Sequence, residues 1–138
     1  MTESNDWNAT VIEEFRANEG RVGGPFEGAP LLLLSTTGAR SGTTRVNPLM
    51  YLPDGDRLVV FASKGGAPTD PDWYHNVVAN PDASVEVGSD RFPVRARVAA
   101  GTERDGLFAE QASRYPQFAE YDANTERTIP VVILERAG

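Results

Sequence analysis

The sequence predicts a mainly β domain with flanking α-helices, closed as a small barrel, and three observations carry that expectation. Apolar runs of strand length recur about six times between turn-forming residues, most of them joined by short hairpin connections. Helical spacing appears only near the start, in one connection and before the final strand. The resulting order, helix, three strands, helix, two strands, helices, strand, lacks the regular alternation of a βαβ fold. A chain of 138 residues suits one domain with one core, so a single site is expected over residues 1–138.

From about residue 8 to 19, Val11, Ile12 and Phe15 fall at helical spacing with Glu13, Glu14 and Arg16 facing away, a short amphipathic helix ended by Gly20. Gly23, Gly24, Pro25, Gly28 and Pro30 make a turn-rich passage before Leu31, Leu32, Leu33 and Leu34, an apolar run that reads as a buried strand. A polar loop over 36–44 comes next. Residues 45–52 and 57–62 flank the turn chemistry of Pro53-Asp54-Gly55-Asp56 and form a hairpin. Asp70-Pro71-Asp72 has the form of an N-cap with proline at the first helical position, opening a helix that stops at Asn80-Pro81. Residues 83–87 and 92–99 alternate as strands. Thr102 begins a helix to about Arg114, with Glu103 and Asp105 favoured in its first turn by the helix dipole. A helical piece over 116–122 and an apolar strand over 129–134 complete the pattern.

Composition narrows the chemistry. With no cysteine, disulfides, iron–sulfur clusters and thiolate catalysis are excluded. No stretch approaches the roughly 18 apolar residues that span a bilayer, and residues 1–8 lack the regions of a signal peptide, so the expected location is the cytoplasm. Thirteen cations against 20 carboxylates give a net charge of −7, which argues against nucleic acid as a partner. Residues 31–64 alone are net basic, at +2 from four cations and two carboxylates. His75 is the only histidine, which leaves no histidine pair for a metal, and no serine sits in a nucleophile elbow.

The loop from Thr36 to Arg45 mixes glycines, hydroxyl donors and the guanidiniums of Arg40 and Arg45, a set suited to phosphate and carboxylate oxygens and serving equally well as a turn. Ser63-Lys64-Gly65-Gly66 follows a strand directly, so its amides can converge on an anion; Lys64 is the only lysine. Trp73, Tyr74 and Asn76 lie on the next helix, either beside a planar ring or simply in the core. Tyr115, Phe118 and Tyr121 follow an i, i+3, i+6 spacing that places one aromatic stripe on a late helical segment, as core or as pocket wall. With few acids, bases or nucleophiles on offer, an organic redox cofactor is the economical carrier of any reaction.

Thr36-Thr37-Gly38 through Arg40-Ser41-Gly42, Arg45-Val46-Asn47-Pro48-Leu49, Ser63-Lys64-Gly65-Gly66-Ala67, Pro71-x-Trp73-Tyr74-x-Asn76, Asn80-Pro81 and Thr128-Ile129-Pro130 together resemble the deazaflavin-dependent nitroreductase and quinone reductase family, in order and at matching spacing from Leu31 onward. The resemblance implies an FMN-binding split-barrel-like fold, a split β-barrel that uses reduced 8-hydroxy-5-deazaflavin, coenzyme F420, to reduce menaquinone-like quinones and, in some members, nitro compounds. Carried over by position, it implies that Arg40 and Ser41 hold the anionic tail. Arg45, Val46, Asn47, Pro48, Leu49 and Met50 would line the ribityl and phosphate region, and Ala62, Ser63 and Lys64 would meet ring and tail. Trp73, Tyr74 and Asn76 would complete the cofactor site, with Tyr115, Phe118 and Tyr121 walling the acceptor pocket. That tail is the kind of anion a local basic stretch favours.

This sequence has Ala39 where relatives often carry a basic residue and Phe118 where the family's nitroreductase pocket has a tyrosine. The lost phenol predicts quinone reduction with weak or absent activity on bicyclic nitroimidazoles. Rival expectations are an FMN oxidoreductase on the same barrel and a non-catalytic deazaflavin carrier. The apolar face of Val11, Ile12 and Phe15 also suggests a peripheral contact with a membrane holding a lipid quinone, against which its acidic opposite face argues.

Overall fold

The structure, a computed structural model, describes residues 3–19, 30–39, 42–63, 70–123, 125 and 128–137, with side chains from residue 9 onward. Six strands, β1 (Leu31–Thr37), β2 (Thr44–Asp54), β3 (Arg57–Phe61), β4 (Asp82–Val87), β5 (Asp90–Val98) and β6 (Val131–Arg136), close into an antiparallel barrel in the order β1-β2-β3-β6-β5-β4. Closure is made by β1 on β4, where Leu34 faces Val85. The helices are α1 (Glu3–Ala17), α2 (Asp72–Ala79), α3 (Gly101–Arg114) and α4 (Gln117–Ala123), in the order expected from the sequence.

Several boundaries move. The first hairpin turn is tighter than its four turn-forming residues suggest: Pro53 and Asp54 stay in β2, and Gly55-Asp56 alone reverse the chain, with Gly55 at φ 60 in the position of a two-residue hairpin that needs glycine. Helix α2 is capped one residue later than expected, at Pro71 (φ −70, ψ 155), with no side-chain cap bond. Thr102 does not start α3 but sits in its first turn, behind Ala100 as N-cap. Ile129 and Pro130 precede β6 rather than opening it, although Ile129 is fully buried.

Strand alternation sorts the apolar residues onto two faces. Leu32 and Leu34 of β1, Leu49 and Tyr51 of β2, Val60 of β3, Val85 of β4, Val94 of β5 and Val132 and Leu134 of β6 share one cluster inside the barrel. Trp73 and Val77 of α2 belong to that cluster, so α2 plugs the barrel. Outside, Leu31 and Leu33 receive Val11 and Phe15 of α1, while Val59, Phe61, Val131 and Ile133 are covered by Phe108 of α3 and Phe118 of α4. The unbroken leucine run of β1 is thereby explained: both of its faces are buried.

The face of α1 expected to meet a membrane is turned the other way. Val11 and Phe15 are buried on the barrel with Ile12 half-buried beside them, so most of that apolar face is taken up by the fold. No helix among the described residues is long and apolar enough to cross a membrane.

Arg16 clamps α1 to the barrel by donating Nε and Nη2 to the two carboxylate oxygens of Glu86, at 3.1 and 2.8 Å. The hydrogen bond from Arg16, outweighing the cost of burial, holds the Glu86 carboxyl below its ordinary value of 4.5. A group depressed in the folded state contributes stability above its unfolded value and loses it as pH falls through the folded one. Acidification from about pH 6 to about pH 3 should therefore raise hydrogen exchange in α1, by an energy below about 1 kcal/mol because Arg16 is half exposed. In Glu86→Gln that acid-dependent step in α1 should disappear.

Candidate functional site at one end of the barrel

Antiparallel neighbours bring the end of β1, the start of β2, the end of β3, the start of β4, the end of β5 and the start of β6 to a single end of the barrel. Stretches far apart in sequence meet there. The Ala62 N–H donates to the Pro130 carbonyl at 3.0 Å, the Ala96 N–H to Pro81 at 2.8 Å and the Ala99 N–H to Val131 at 2.8 Å. Arg104 of α3 donates Nε and Nη2 to the Ile129 carbonyl at 3.2 and 2.8 Å.

Asn76 is the brace of this end. Its Oδ1 accepts from the Ala39 N–H at 2.9 Å, and its Nδ2 donates to Thr36 Oγ1 at 3.1 Å. Because a backbone amide can only donate, the first bond fixes which way the carboxamide points. At 7% exposure Asn76 works between α2 and the loop after β1, and both of its polar ends are engaged with the protein. That loop closes on itself, with Gly38 donating to Thr43 (2.8 Å) and Gly42 to Gly38 (3.0 Å), and Gly42 at φ 71 supplies the left-handed turn. Arg40, Ser41 and Lys64 lie outside the described residues; their neighbours Ala39, Gly42 and Ser63 all belong to this end.

The ladder between β2 and β3 covers only Tyr51 to Asp54, whereas β1 pairs with β2 from Thr44 to Met50. Among the described residues the second edge of β2 from Thr44 to Met50 therefore has no strand partner, and here the barrel is split. The Tyr51 N–H bonds the Pro30 carbonyl and the Gly38 N–H the Thr43 carbonyl, so odd residues turn their peptide groups to β1 and even ones to the open edge. Pro48 is an even residue and has no N–H to offer, which suits an edge that must stay unpaired.

The six consecutive β2 residues expected around the cofactor cannot all face one pocket, because side chains alternate. Arg45, Asn47 and Leu49 share the inner parity, while Val46, Pro48 and Met50 face outward, half-buried. Val46 packs toward the α1 patch and Met50 toward the α3 and α4 patch, with Pro48 between them on the same outward face, an apolar strip that is the floor of the candidate groove. Arg45 is exposed at the head of the strand and has no carboxylate partner among the described residues. Trp73, at 3% exposure, is core rather than groove wall; Tyr74 is half-buried against the same core, its ring 5.7 Å from the exposed His75.

Tyr115, Phe118 and Tyr121 come together, though not on one helix. Tyr115 is the C-cap of α3, and the other two are on α4. Phe118 meets Phe61 and Tyr121 edge to face at 5.7 and 5.3 Å and is 5% exposed, while the two tyrosines are half-buried. With Met50 in the same apolar cluster, this aromatic wall continues the floor of the groove. One neighbour escaped the sequence reading. Gln111 is 0% exposed, and among the described residues neither Oε1 nor Nε2 has a hydrogen-bond partner, a state that costs about 1–3 kcal/mol for each polar group left unpaired. Its position three residues after Phe108 and four before Tyr115, on the buried face of α3, was the available signal.

The outward row of Val46, Pro48 and Met50, an edge of β2 without a strand partner among the described residues and Arg45 without a carboxylate partner among them mark this face as the candidate site. The family profile described as F420H(2)-dependent quinone reductase matches residues 7–136. The chain belongs to that family. An F420H(2)-dependent quinone reductase of Mycobacterium tuberculosis is 43% identical over 129 residues, covering 88% of this chain and 85% of the relative. A solved structure of an F420-H2 dependent reductase (FDR-A) is 44% identical with a TM-score of 0.71, covering 77% of this chain and 94% of that one. A second, described as a domain-swapped dimer, is 38% identical with a TM-score of 0.73, covering 96% and 100%. The split-barrel fold expected of this F420H(2)-dependent quinone reductase family member is the fold observed.

Proposed function

We propose that this protein is an oxidoreductase that passes a hydride from reduced coenzyme F420 to a menaquinone-like quinone. The observation that carries the reading is the edge of β2 that has no strand partner among the described residues, with its apolar floor and with Arg45, which has no carboxylate partner among them, at its head, beside the aromatic set of Tyr115, Phe118 and Tyr121. When bound, the deazaflavin supplies the hydride; the chain supplies position and electrostatics. In this reading Arg40, Ser41, Arg45 and Lys64 hold the phosphate and carboxylates of the tail. Val46, Pro48 and Met50 seat the ring against β2, with Asn47 and Leu49 supporting the strand from within. Ala62 and Ser63 form the lip where the ring meets the second loop, and Tyr74 flanks it. Asn76 positions the first loop, and Trp73 holds the helix that carries Asn76. The acceptor lies against Tyr115, Phe118 and Tyr121, which keep water from the transfer.

Because Phe118 has no hydroxyl to donate, quinones should be turned over and bicyclic nitroimidazoles poorly or not at all. The test is a fluorescence titration of the purified protein with oxidised F420 and, separately, FMN, followed by oxidation of F420H2 with menadione or a nitroimidazole. Preferred binding of F420 and menadione-dependent turnover are expected. Tighter binding of FMN would move the chain to flavin chemistry, and tight F420 binding without turnover would make it a carrier.

A further inference from the structure

Gln111 is a buried polar side chain with no hydrogen-bond partner among the described residues. The residues that flank it on α3 at helical spacing, Leu107, Phe108 and Tyr115, and the adjacent Ala112 belong to the apolar cluster between the helices and the outer face of β3 and β6. A carboxamide has one strong acceptor and two donor hydrogens, and here none is used. An apolar residue of the same size would pack there without that loss, which singles the amide out for a role beyond packing.

The same cluster holds the half-buried Tyr115, Tyr121 and Met50, the wall and floor of the groove. Helix α3 packs against α4, the least anchored helix, which has seven residues and buries only Phe118. We infer that Gln111 is a specificity-determining residue whose amide N–H meets a carbonyl oxygen of the quinone once α4 yields to the incoming ring. The inference rests on the proposed quinone reduction. A quinone that gains one hydride, with its two electrons, from F420H2 becomes a hydroquinone anion; one proton taken up completes the hydroquinone, and one proton lost from the donor leaves the oxidised coenzyme, so the two sides balance. Negative charge thus develops on the oxygen that the amide faces, where a preplaced donor acts most strongly. An acceptor without a carbonyl or comparable oxygen at that place draws nothing from Gln111, which makes the residue a selector as well as a binder.

The test uses the full chain and Gln111→Met and Gln111→Leu, with three readouts: the melting temperature without ligand, the shift of that temperature by menadione, and the KM for menadione beside the F420 dissociation constant. Both variants should melt at or above the wild-type temperature, because an orphaned amide has been removed. Menadione should shift them less than the wild type, and its KM should rise about tenfold while F420 affinity stays within about twofold. A menadione shift equal to that of wild type, or an unchanged KM, overturns the inference. So does a clear fall in melting temperature of both ligand-free variants, which would mark the amide as a structural tie. If wild type fails to oxidise F420H2 with menadione, the proposed function falls, and the menadione melting shift still decides the role of Gln111 separately.

Discussion

Replacing Arg40, Arg45 and Lys64 together by glutamine is expected to weaken F420 binding by roughly three orders of magnitude while leaving the melting temperature nearly unchanged. Hydrogen bonds to charged groups are worth about 1.5–3 kcal/mol each, and an exposed guanidinium such as Arg45 belongs at the lower end of that range. Three contacts at the lower end sum to about 4.5 kcal/mol, close to a thousandfold in a dissociation constant. Stability should hold because Arg45 makes no ion pair among the described residues, so its removal strands no carboxylate. Affinity of the wild type should also fall as salt rises, and the triple variant should lose most of that dependence. Titration in low and high salt reads both effects. A dissociation constant within about threefold of wild type would remove the basis for an electrostatic grip on the tail.

Asn76→Ala should damage stability and site together. The substitution leaves the buried Thr36 hydroxyl without its partner at about 1–3 kcal/mol, and breaks the part-buried bond from the Ala39 N–H at about 0.5–1.5 kcal/mol. A total near 3 kcal/mol corresponds to a melting temperature lower by roughly 10 °C in a domain of this size. Because the same bonds fix the loop that carries Arg40 and Ser41, F420 affinity should drop as well. Asn76→Asp separates the two roles: its carboxylate can still accept from Ala39 and from the Thr36 hydroxyl, but it adds a negative charge beside the site of an anionic tail. That variant should keep more stability than Asn76→Ala and lose at least as much affinity. Calorimetry and the same titration suffice, and a melting temperature of Asn76→Ala within about 2 °C of wild type would show that the brace carries little.

The fold was legible because alternation and turn chemistry agree along most of the chain. The leucine run of β1, the hairpin at Gly55 and the polarity of β4 and β5 each point to strands, and so many hairpins leave few arrangements other than a barrel. Helix starts were less legible. Asp70 and Thr102 have the chemistry of caps, yet α2 and α3 begin behind Pro71 and Ala100, because packing of Trp73 and Phe108 decides where those helices lie. In the site, a run such as residues 45–50 shows the right strand but hides which side chains share a face, since that depends on the pairing of Leu49 with Leu32 inside the barrel. That Asn76 braces the loop after β1 could not be read from the sequence, because its partners lie 37 and 40 residues away. Gln111 passed unnoticed because one polar residue on a helix seldom reveals whether its face is buried.

The strand order places β6 between β3 and β5. During synthesis the five earlier strands emerge before the one that seals them, so the cylinder stays an open sheet until residues 131–136 leave the ribosome. Ala62 at the lip of the groove draws its backbone partner from Pro130, just ahead of that strand. A nascent chain stalled before β6 should accordingly be unable to load coenzyme, which makes cofactor capture a late event in the maturation of this protein.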